Sequence, residues 1–348
     1  MPRARVHVIP TSSPDDLSGL ERLIELGQLV PENLVAILGK TEGNGCVNDF
    51  TRAFSVSEIK RFLGHKGDGI CMVMSGGTEG GLSPHLIAFE VLEDTGDGPA
   101  MALGTAVTRE LRPYEIGTFN QIECVADNFT AAIKSAQISD PRDVHFVQIK
   151  CPLLTSDRVA ASVAPTVTSD SLKSMGLSRG ASALGVALAL GEVDAATAKR
   201  ALSEGDSTIW SSRASASAGV ELMGHEILVL GMSNSWSGPL IVDHAVMKDA
   251  IDTRAVKAAL ERLEMSKANT LRVIIAKAEA STSGKIRGLR HTMLNDSDIS
   301  STRHARALVG GTLGGLLGRT DLFISGGAEH QGPDGGGPVA LIAECVEK

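Results

Sequence analysis

Three lysines and three serines recur in this sequence in the same order relative to apolar, strand-like segments. The lysines end the segments 34–40, 144–150 and 271–277, and each segment is followed by a serine, a small residue and a glycine, beginning at Ser75, Ser217 and Ser325. A serine hydroxyl is a weak nucleophile until a base removes its proton, and a lysine amine can be that base. The recurrence predicts three similar units that contribute Lys, Arg and Ser side chains to one shared site.

A lysine can act as a base only if its surroundings lower its pKa. Bringing an amine from its usual pKa to about 7–8 requires on the order of 4 kcal/mol. Burial at the end of an apolar strand and nearby guanidinium groups both act in this direction. The flanking sequence does not rank Lys40, Lys150 and Lys277. Each one taken alone is more typical of a solvated strand end, and the threefold recurrence is what favours a site. The candidate arginines are Arg52, Arg179, Arg303 and Arg306.

The small residues after the serines offer a second function. Gly76, Ala218 and Gly326 allow backbone N–H groups to approach a ligand carbonyl, as in an oxyanion hole. The alternative for each segment is an ordinary tight turn.

A glycine-rich and proline-rich loop near the C-terminal end is a candidate cation site. Residues 328–337 can turn their carbonyl groups inward around a hard cation, and Glu279 can supply a negative charge. The alternative is a loop without a ligand.

Composition excludes several functional classes. The chain has 348 residues and a net charge of −8, which argues against binding to nucleic acid. No apolar run approaches the roughly 20 residues that span a membrane. Five cysteines without a CxxC pair indicate a reducing compartment, so we expect a cytoplasmic protein. The sequence 39–41 lacks the upstream glycine of a phosphate-binding loop, and we expect no organic cofactor.

Predicted strands and helices alternate, which indicates an α/β or α+β fold. We divide the chain into three units, at residues 1–97, 98–234 and 235–348, with turn-rich joints between them. In each unit the sequence predicts, in this order, a strand, a helix, a strand that ends in lysine, a serine segment and a closing strand. The first helix is predicted to begin near Ser12 to Asp16, where hydroxyls and acids could cap it.

Five long segments carry specific motifs, at residues 39–49, 148–155, 178–185, 290–294 and 325–333. These segments resemble the cyanuric acid hydrolase/barbiturase family of ring-opening amidohydrolases. The resemblance covers essentially the whole chain.

This resemblance implies a fold and a substrate. The fold has three repeats around a pseudo-threefold axis, with a central β-barrel-like core surrounded by helices, and the assembly is a homotetramer. The substrate is cyanuric acid, a flat ring with three C=O and three N–H groups, which opens to carboxybiuret and then loses CO2 to give biuret.

The resemblance also assigns roles to individual residues. It implies Lys150 as the base and Ser217 as the nucleophile, with Ser215 as the rival serine. Lys40 and Lys277 would support the site, and Arg303 would affect specificity. The ring would be bound by Arg52, Ser75, Gly76, Arg179, Ser217, Ala218, Arg306, Ser325 and Gly326. Between the two candidates for the third arginine, the family spacing favours Arg306.

A structural divalent cation, Mg²⁺ or Ca²⁺, is implied at the C-terminal loop. Its ligands would be Glu279 and the carbonyl groups of Ala328, Gln331, Gly332, Pro333 and Gly336. Two alternatives to a cyanuric acid hydrolase stay open. One is a barbiturase, and the other is a threefold heterocycle-binding protein without catalysis.

Overall fold

The computed structural model describes residues 1–265 and 269–346. Within them, the chain forms three four-stranded sheets, one two-stranded hairpin and helices between the strands. This confirms the predicted mixed α/β class.

The first sheet is built from the N-terminal quarter of the chain. Its strands have the order β1-β4-β2-β3, with β2 and β3 parallel and the other pairs antiparallel. The elements are β1 (Pro2–Pro10), α1 (Ser18–Glu25), β2 (Leu34–Thr41), α2 (Phe50–Leu63), β3 (Cys71–Gly76) and β4 (His85–Glu93).

The second sheet repeats this arrangement with more helix inserted between its parallel strands. The strand order is β5-β8-β6-β7, and β6 and β7 are the parallel pair. The elements are β5 (Ala100–Val107), α3 (Phe119–Ser135), β6 (Val144–Pro152), α4 (Ser156–Ala160), α5 (Ser171–Ala189), α6 (Ala195–Glu204), β7 (Ala214–Gly219) and β8 (Glu226–Ser233).

The third sheet has the same order again, β9-β14-β10-β13, with β10 and β13 parallel. The three four-stranded sheets therefore share one strand order. The elements are β9 (Leu240–Met247), α7 (Thr253–Arg262), β10 (Thr270–Ala278), β11 (Lys285–Ile286), β12 (Leu289–Arg290), α8 (Ser301–Leu317), β13 (Phe323–Gly326) and β14 (Gly337–Glu344).

The side-chain alternation of the strands explains which face carries the lysines. In β2, Ala36 and Leu38 join a large buried cluster that includes residues of all three sheets, whereas Ile37 packs with the helices of the first sheet. Because successive side chains of a strand point to opposite faces, Lys40 shares the face of Ala36 and Leu38. In β10, Val273 and Ile275 join the same central cluster. Lys40 and Lys277, the second-last residues of these strands, therefore lie on the face that the sheets share.

The predicted start of the first helix was wrong. Asp16 accepts hydrogen bonds from Ser12 and Ser18, and these bonds close a turn in place of capping a helix. Short polar side chains readily bond nearby backbone groups in this way. The helix begins at Ser18.

Among the described residues, no helix combines the length and the apolar character that crossing a membrane requires.

Candidate active site

Each lysine lies directly beside a serine on the neighbouring parallel strand. The paired positions are Lys40 with Ser75, Lys150 with Ser217, and Lys277 with Ser325. All three pairs lie at the C-terminal ends of their strands. The lysines and serines that recur in the sequence therefore occupy equivalent, adjacent positions in the three sheets.

The three sets of binding residues predicted from the sequence meet in one cavity. Its walls contain the three serines, the residue after each serine, and one arginine from each of three helices. These residues are Arg52, Arg179 and Arg306, with Ser75, Gly76, Ser217, Ala218, Ser325 and Gly326; Gly45 and Met175 complete the wall. Guanidinium forks and hydroxyls around one small space suit a planar ligand that carries several carbonyl groups.

The lysine amines link the three sheets behind this cavity. Each amine donates a hydrogen bond to the carbonyl group of the residue that precedes the serine of a different sheet. The bonds run from Lys40 Nζ to Ile324 O (2.5 Å), from Lys150 Nζ to Met74 O (2.7 Å), and from Lys277 Nζ to Ala216 O (2.8 Å). The links connect the first sheet to the third, the third to the second, and the second to the first.

All three lysine side chains are buried, and burial lowers the pKa of each. For Lys40 and Lys277 the second cause is a positive neighbour, Arg306 and Arg179 respectively, and the pKa of Lys277 falls to about 7. For Lys150 burial is opposed by the negative charge of Glu221. Burial therefore brings these amines toward the neutral form that a base requires.

The hydrogen bonds of the serines differ between the sheets. Lys40 Nζ donates to Ser75 Oγ at 3.3 Å, and Lys277 Nζ donates to Ser325 Oγ at 3.1 Å. Ser217 Oγ lies 2.7 Å from Ser325 Oγ. Within the part of the chain that is described, Lys150 and Ser217 are register partners without a direct hydrogen bond. Ser217 is therefore connected to Lys277 through Ser325 and adjoins Lys150 across the parallel strands.

Each arginine reaches the serine segment of another sheet. Arg306 lies against Gly77, where an added Cβ would be 2.5 Å from its Nη2, and Arg179 lies against Gly327 in the same way. Both glycines have positive φ angles, +105° and +80°. A side chain at either position would displace the guanidinium and strain the backbone. The third arginine, Arg52, donates from Nη1 to Ala218 O at 3.2 Å.

A glutamate that was not predicted as a site residue follows each of the three cavity serines by four residues. Glu79 and Glu329 accept two hydrogen bonds each, from Arg306 (2.8 and 2.5 Å) and from Arg179 (2.8 and 2.6 Å). Burial alone would raise the pKa of Glu329, but the Arg179 charge outweighs it and lowers the pKa to about 2. These forks orient two arginines toward the cavity. The recurring pattern of serine, small residue, glycine, any residue and glutamate was available in the sequence as the signal.

The third glutamate of the pattern, Glu221, has a different partner. Its Oε1 lies 2.7 Å from Lys150 Nζ, and both side chains are almost fully buried. Burial alone would raise the pKa of Glu221, but the charges of Lys150 and Arg52 outweigh it and lower the pKa. The Nε atom of Arg52 lies 4.0 Å from Asp49, beyond hydrogen-bonding distance. Of these three lysines, Lys150 is therefore the one whose amine contacts the glutamate that follows its own partner serine.

Two alternatives are distinguished by their position. Ser215 is fully buried and donates to Gln148 Oε1 at 2.7 Å, whereas Ser217 lines the cavity. Arg303 lies outside the cavity, near Glu79, and its Nε donates to Ser300 Oγ. Arg306 is therefore the third arginine that lines the cavity.

The candidate cation loop packs beside Glu279. The carboxylate of Glu279 accepts hydrogen bonds from the backbone N–H groups of Ala280 (3.0 Å) and Ala328 (2.9 Å). Burial and the nearby Glu329 raise its pKa. The Ala328 and Pro333 carbonyls each accept one backbone N–H, from Gln331 and Gly336 respectively, in tight turns.

The sequence matches the pattern of a family described as amidohydrolase ring-opening protein, over residues 5–344. The chain belongs to this family of ring-opening amidohydrolases. One member, the cyanuric acid amidohydrolase of Azorhizobium caulinodans, is 57% identical over 99% of both chains. Another, the cyanuric acid amidohydrolase of Enterobacter cloacae, is 46% identical over 99% of this chain and 100% of its own.

Solved structures of the family have the same fold. A cyanuric acid hydrolase from A. caulinodans superposes with a TM-score of 0.95 at 56% identity, and 100% of each chain is covered. A second cyanuric acid hydrolase, described in terms of structural concatenation, has a TM-score of 0.93 at 44% identity over 99% of this chain and 100% of its own. The family resemblance found in the sequence motifs is confirmed.

Proposed function

We propose that this chain is a hydrolase that opens the ring of cyanuric acid, with carboxybiuret as the first product and biuret after loss of CO2. The observation that carries the proposal is the single cavity lined by three arginines and three serine segments. Relatives that match the chain over nearly its full length are named for this activity.

The cavity walls suit the shape of this substrate. Cyanuric acid repeats one C=O and one N–H group three times around a flat ring. Each carbonyl would meet one guanidinium group and the N–H groups of one serine segment. Arg52, Arg179 and Arg306 approach the segments of the second, third and first sheets respectively. This cyclic arrangement supports one binding subsite for each ring carbonyl.

We assign the covalent chemistry to Ser217 and Lys150. Ser217 Oγ attacks a ring carbonyl carbon while Lys150 takes the hydroxyl proton. The ring C–N bond then breaks, the leaving nitrogen takes the proton from Lys150, and the opened chain stays esterified to Ser217. Water attacks this ester and releases carboxybiuret, which restores the serine. Backbone N–H groups near Ala218 would stabilise the negative oxygen of each tetrahedral intermediate.

Glu221 distinguishes Lys150 from the other two lysines. A carboxylate 2.7 Å from the amine favours the protonated form and opposes the effect of burial. Such a group holds the ammonium ion that protonates the leaving nitrogen and keeps the amine basic enough to take the serine proton. Lys40 and Lys277 lack this contact and would support the site without acting as the base.

A pseudo-threefold arrangement of three repeats accounts for these contacts. We assign the repeats to residues 1–97, 98–234 and 235–348, around a barrel-like core with helices outside. The common strand order and the cyclic lysine–carbonyl bonds support this assignment.

The described residues fit a structural divalent cation beside the site. Glu279 is a half-buried carboxylate that accepts two backbone N–H groups, and it has no Lys or Arg ion pair in the described part of the chain. The Ala328 and Pro333 carbonyls each keep a second lone pair. The cation would be held by Glu279 and the carbonyls of Ala328, Gln331, Gly332, Pro333 and Gly336. Mg²⁺ or Ca²⁺ there would fix the loop that carries Glu329.

We further propose that the enzyme is a cytoplasmic homotetramer, as the family resemblance implies. The side chains of Phe50 and Phe54 are 73% and 40% exposed, four residues apart on α2. Two exposed aromatic rings on one helix face support a contact between subunits. Sedimentation of the full chain would measure the assembly.

The choice of base can be tested with two matched variants. We expect Lys150→Met to lower kcat by about 10²–10⁴-fold, the range typical of a lost general base. We expect Lys277→Met to raise KM while retaining more of kcat. Circular dichroism would check that both variants fold. The reverse pattern, with kcat lost in Lys277→Met and retained in Lys150→Met, would assign the proton to Lys277 through Ser325.

The substrate can be tested by steady-state kinetics on cyanuric acid and barbituric acid. We expect the higher kcat/KM on cyanuric acid, because relatives that match the chain over nearly its full length are named for the hydrolysis of this ring. A higher value on barbituric acid would make the protein a barbiturase, and binding without turnover of either ring would make it a binding protein.

A further inference from the structure

Two histidines and an aspartate meet away from the active site, between the second and third sheets. His145 lies on β6, and Asp243 and His244 lie on β9. The distance between the two Nδ1 atoms is 3.0 Å. Asp243 Oδ1 lies 3.2 Å from His145 Nδ1 and 3.8 Å from His244 Nδ1. Three atoms that can each donate a lone pair thus face one another.

The three atoms have the spacing of ligands on one ion. These distances define a point that is about 2.0 Å from all three atoms. Zinc–nitrogen and zinc–carboxylate bonds are about 2.0–2.2 Å long. An ion close to this point would therefore lie at a normal bonding distance from all three atoms.

Without a metal ion, one ring proton would have to serve all three atoms of this cluster. A neutral histidine carries one ring proton, so a proton on His145 Nδ1 would be shared between His244 Nδ1 and Asp243 Oδ1. A divalent cation at the shared point would instead engage all three lone pairs. A shared ion would account for two Nδ1 atoms that lie 3.0 Å apart.

Neighbouring groups hold the aspartate in position. Arg262 Nε donates to Asp243 Oδ2 at 2.5 Å, and its Nη2 donates to His244 O at 2.7 Å. The backbone N–H of His244 donates to Asp243 Oδ1 at 2.7 Å. Such bonds to the groups around a metal ligand fix its orientation. The Arg262 charge opposes a second cation, which favours a metal that binds imidazole strongly over Mg²⁺ or Ca²⁺.

We propose that His145, Asp243 and His244 bind a divalent first-row transition metal such as Zn²⁺. The ion would connect β6 to β9 and so tie the second sheet to the third. Three protein ligands leave a coordination position for water or another small ligand. This site has different ligands from the oxygen site at Glu279.

The test is metal titration of the full-length protein, without a polyhistidine tag, after removal of metals with a chelator. Co²⁺ and Zn²⁺ serve as probes, with visible absorption of bound Co²⁺ and calorimetry for Zn²⁺ as readouts. We expect one bound equivalent that Mg²⁺ does not displace, and a rise in the unfolding temperature with Zn²⁺. In His244→Ala the affinity should fall by at least about tenfold, and the thermal shift should disappear.

Control variants make the result specific. His304→Ala removes a histidine outside the cluster, whose Nε2 lies 2.7 Å from Asp296 Oδ2, and should leave binding unchanged. Glu279→Gln should also retain Co²⁺ binding. If His244→Ala does not fold, His145→Gln provides the same comparison. Absence of stoichiometric binding in the native protein, or equal affinity in the folded His244→Ala or His145→Gln variant, would overturn the proposal.

Discussion

The ion pair between Glu221 and Lys150 makes the most direct prediction about catalysis. In Glu221→Gln the side chain keeps its shape but loses its charge. Because a negative neighbour raises the pKa of an amine, the variant should have a Lys150 with a lower pKa. The amine would then be neutral, and competent as a base, at lower pH. We expect the acid limb of the kcat/KM profile to move to lower pH.

The size of the shift follows from the geometry. Two unit charges 2.7 Å apart attract with about 6 kcal/mol at an effective dielectric constant of about 20. Desolvation of the carboxylate offsets part of this attraction. About 1.4 kcal/mol corresponds to one pH unit. If a quarter of the attraction remains after desolvation, its loss in Glu221→Gln moves the midpoint of the acid limb by about one pH unit. The maximal kcat should fall as well, because a less basic amine is a weaker proton acceptor.

The assay is a pH–rate profile for cyanuric acid hydrolysis, measured alongside Glu79→Gln and Glu329→Gln. These matched variants remove the equivalent glutamates, which contact Arg306 and Arg179. They should raise KM and leave the acid limb in place. A folded Glu221→Gln protein with an unshifted profile would refute the proposed role of Glu221, and equal shifts in all three variants would show a general charge effect.

Three further predictions concern individual residues. Ser217→Ala should lower kcat by about 10⁴-fold or more, whereas Ser215→Ala should keep most activity; a fully active Ser217→Ala enzyme would exclude the nucleophile. Gly77→Ala should raise KM, because its Cβ would meet the Arg306 guanidinium, and crystal structures of both proteins would show whether that group moves. Glu279→Gln should abolish the rise in unfolding temperature that Mg²⁺ or Ca²⁺ gives the native protein; an unchanged rise measured by calorimetry would place the cation elsewhere.

Recurrence made much of the fold predictable. The strands ending at Lys40, Lys150 and Lys277 were identifiable because apolar runs stop at a charged residue three times. Their pairing with the serine strands could not be derived from one strand alone, since register depends on the packed faces of both. The start of α1 was misplaced because Asp16 bonds two serines in a turn. The same residue types, Ser and Asp, are favoured both in turns and at helix starts, so the sequence does not tell them apart.

The cavity residues were predictable as types and less so as partners. The serine segments and arginines could be listed from the sequence, but the contact between Glu221 and Lys150 breaks the pattern set by Glu79 and Glu329. Such an exception depends on side-chain positions in three dimensions. The contact of Ser217 with Ser325 likewise joins residues 108 positions apart.

Equivalent walls around the cavity affect the statistics of binding. A ring with three identical edges can enter in any of three rotations, and each rotation brings a carbonyl to Ser217. This degeneracy triples the number of productive encounters, a gain of about 0.6 kcal/mol over a ring with a single reactive edge. Barbituric acid, in which a carbon replaces one ring nitrogen, loses part of this rotational multiplicity.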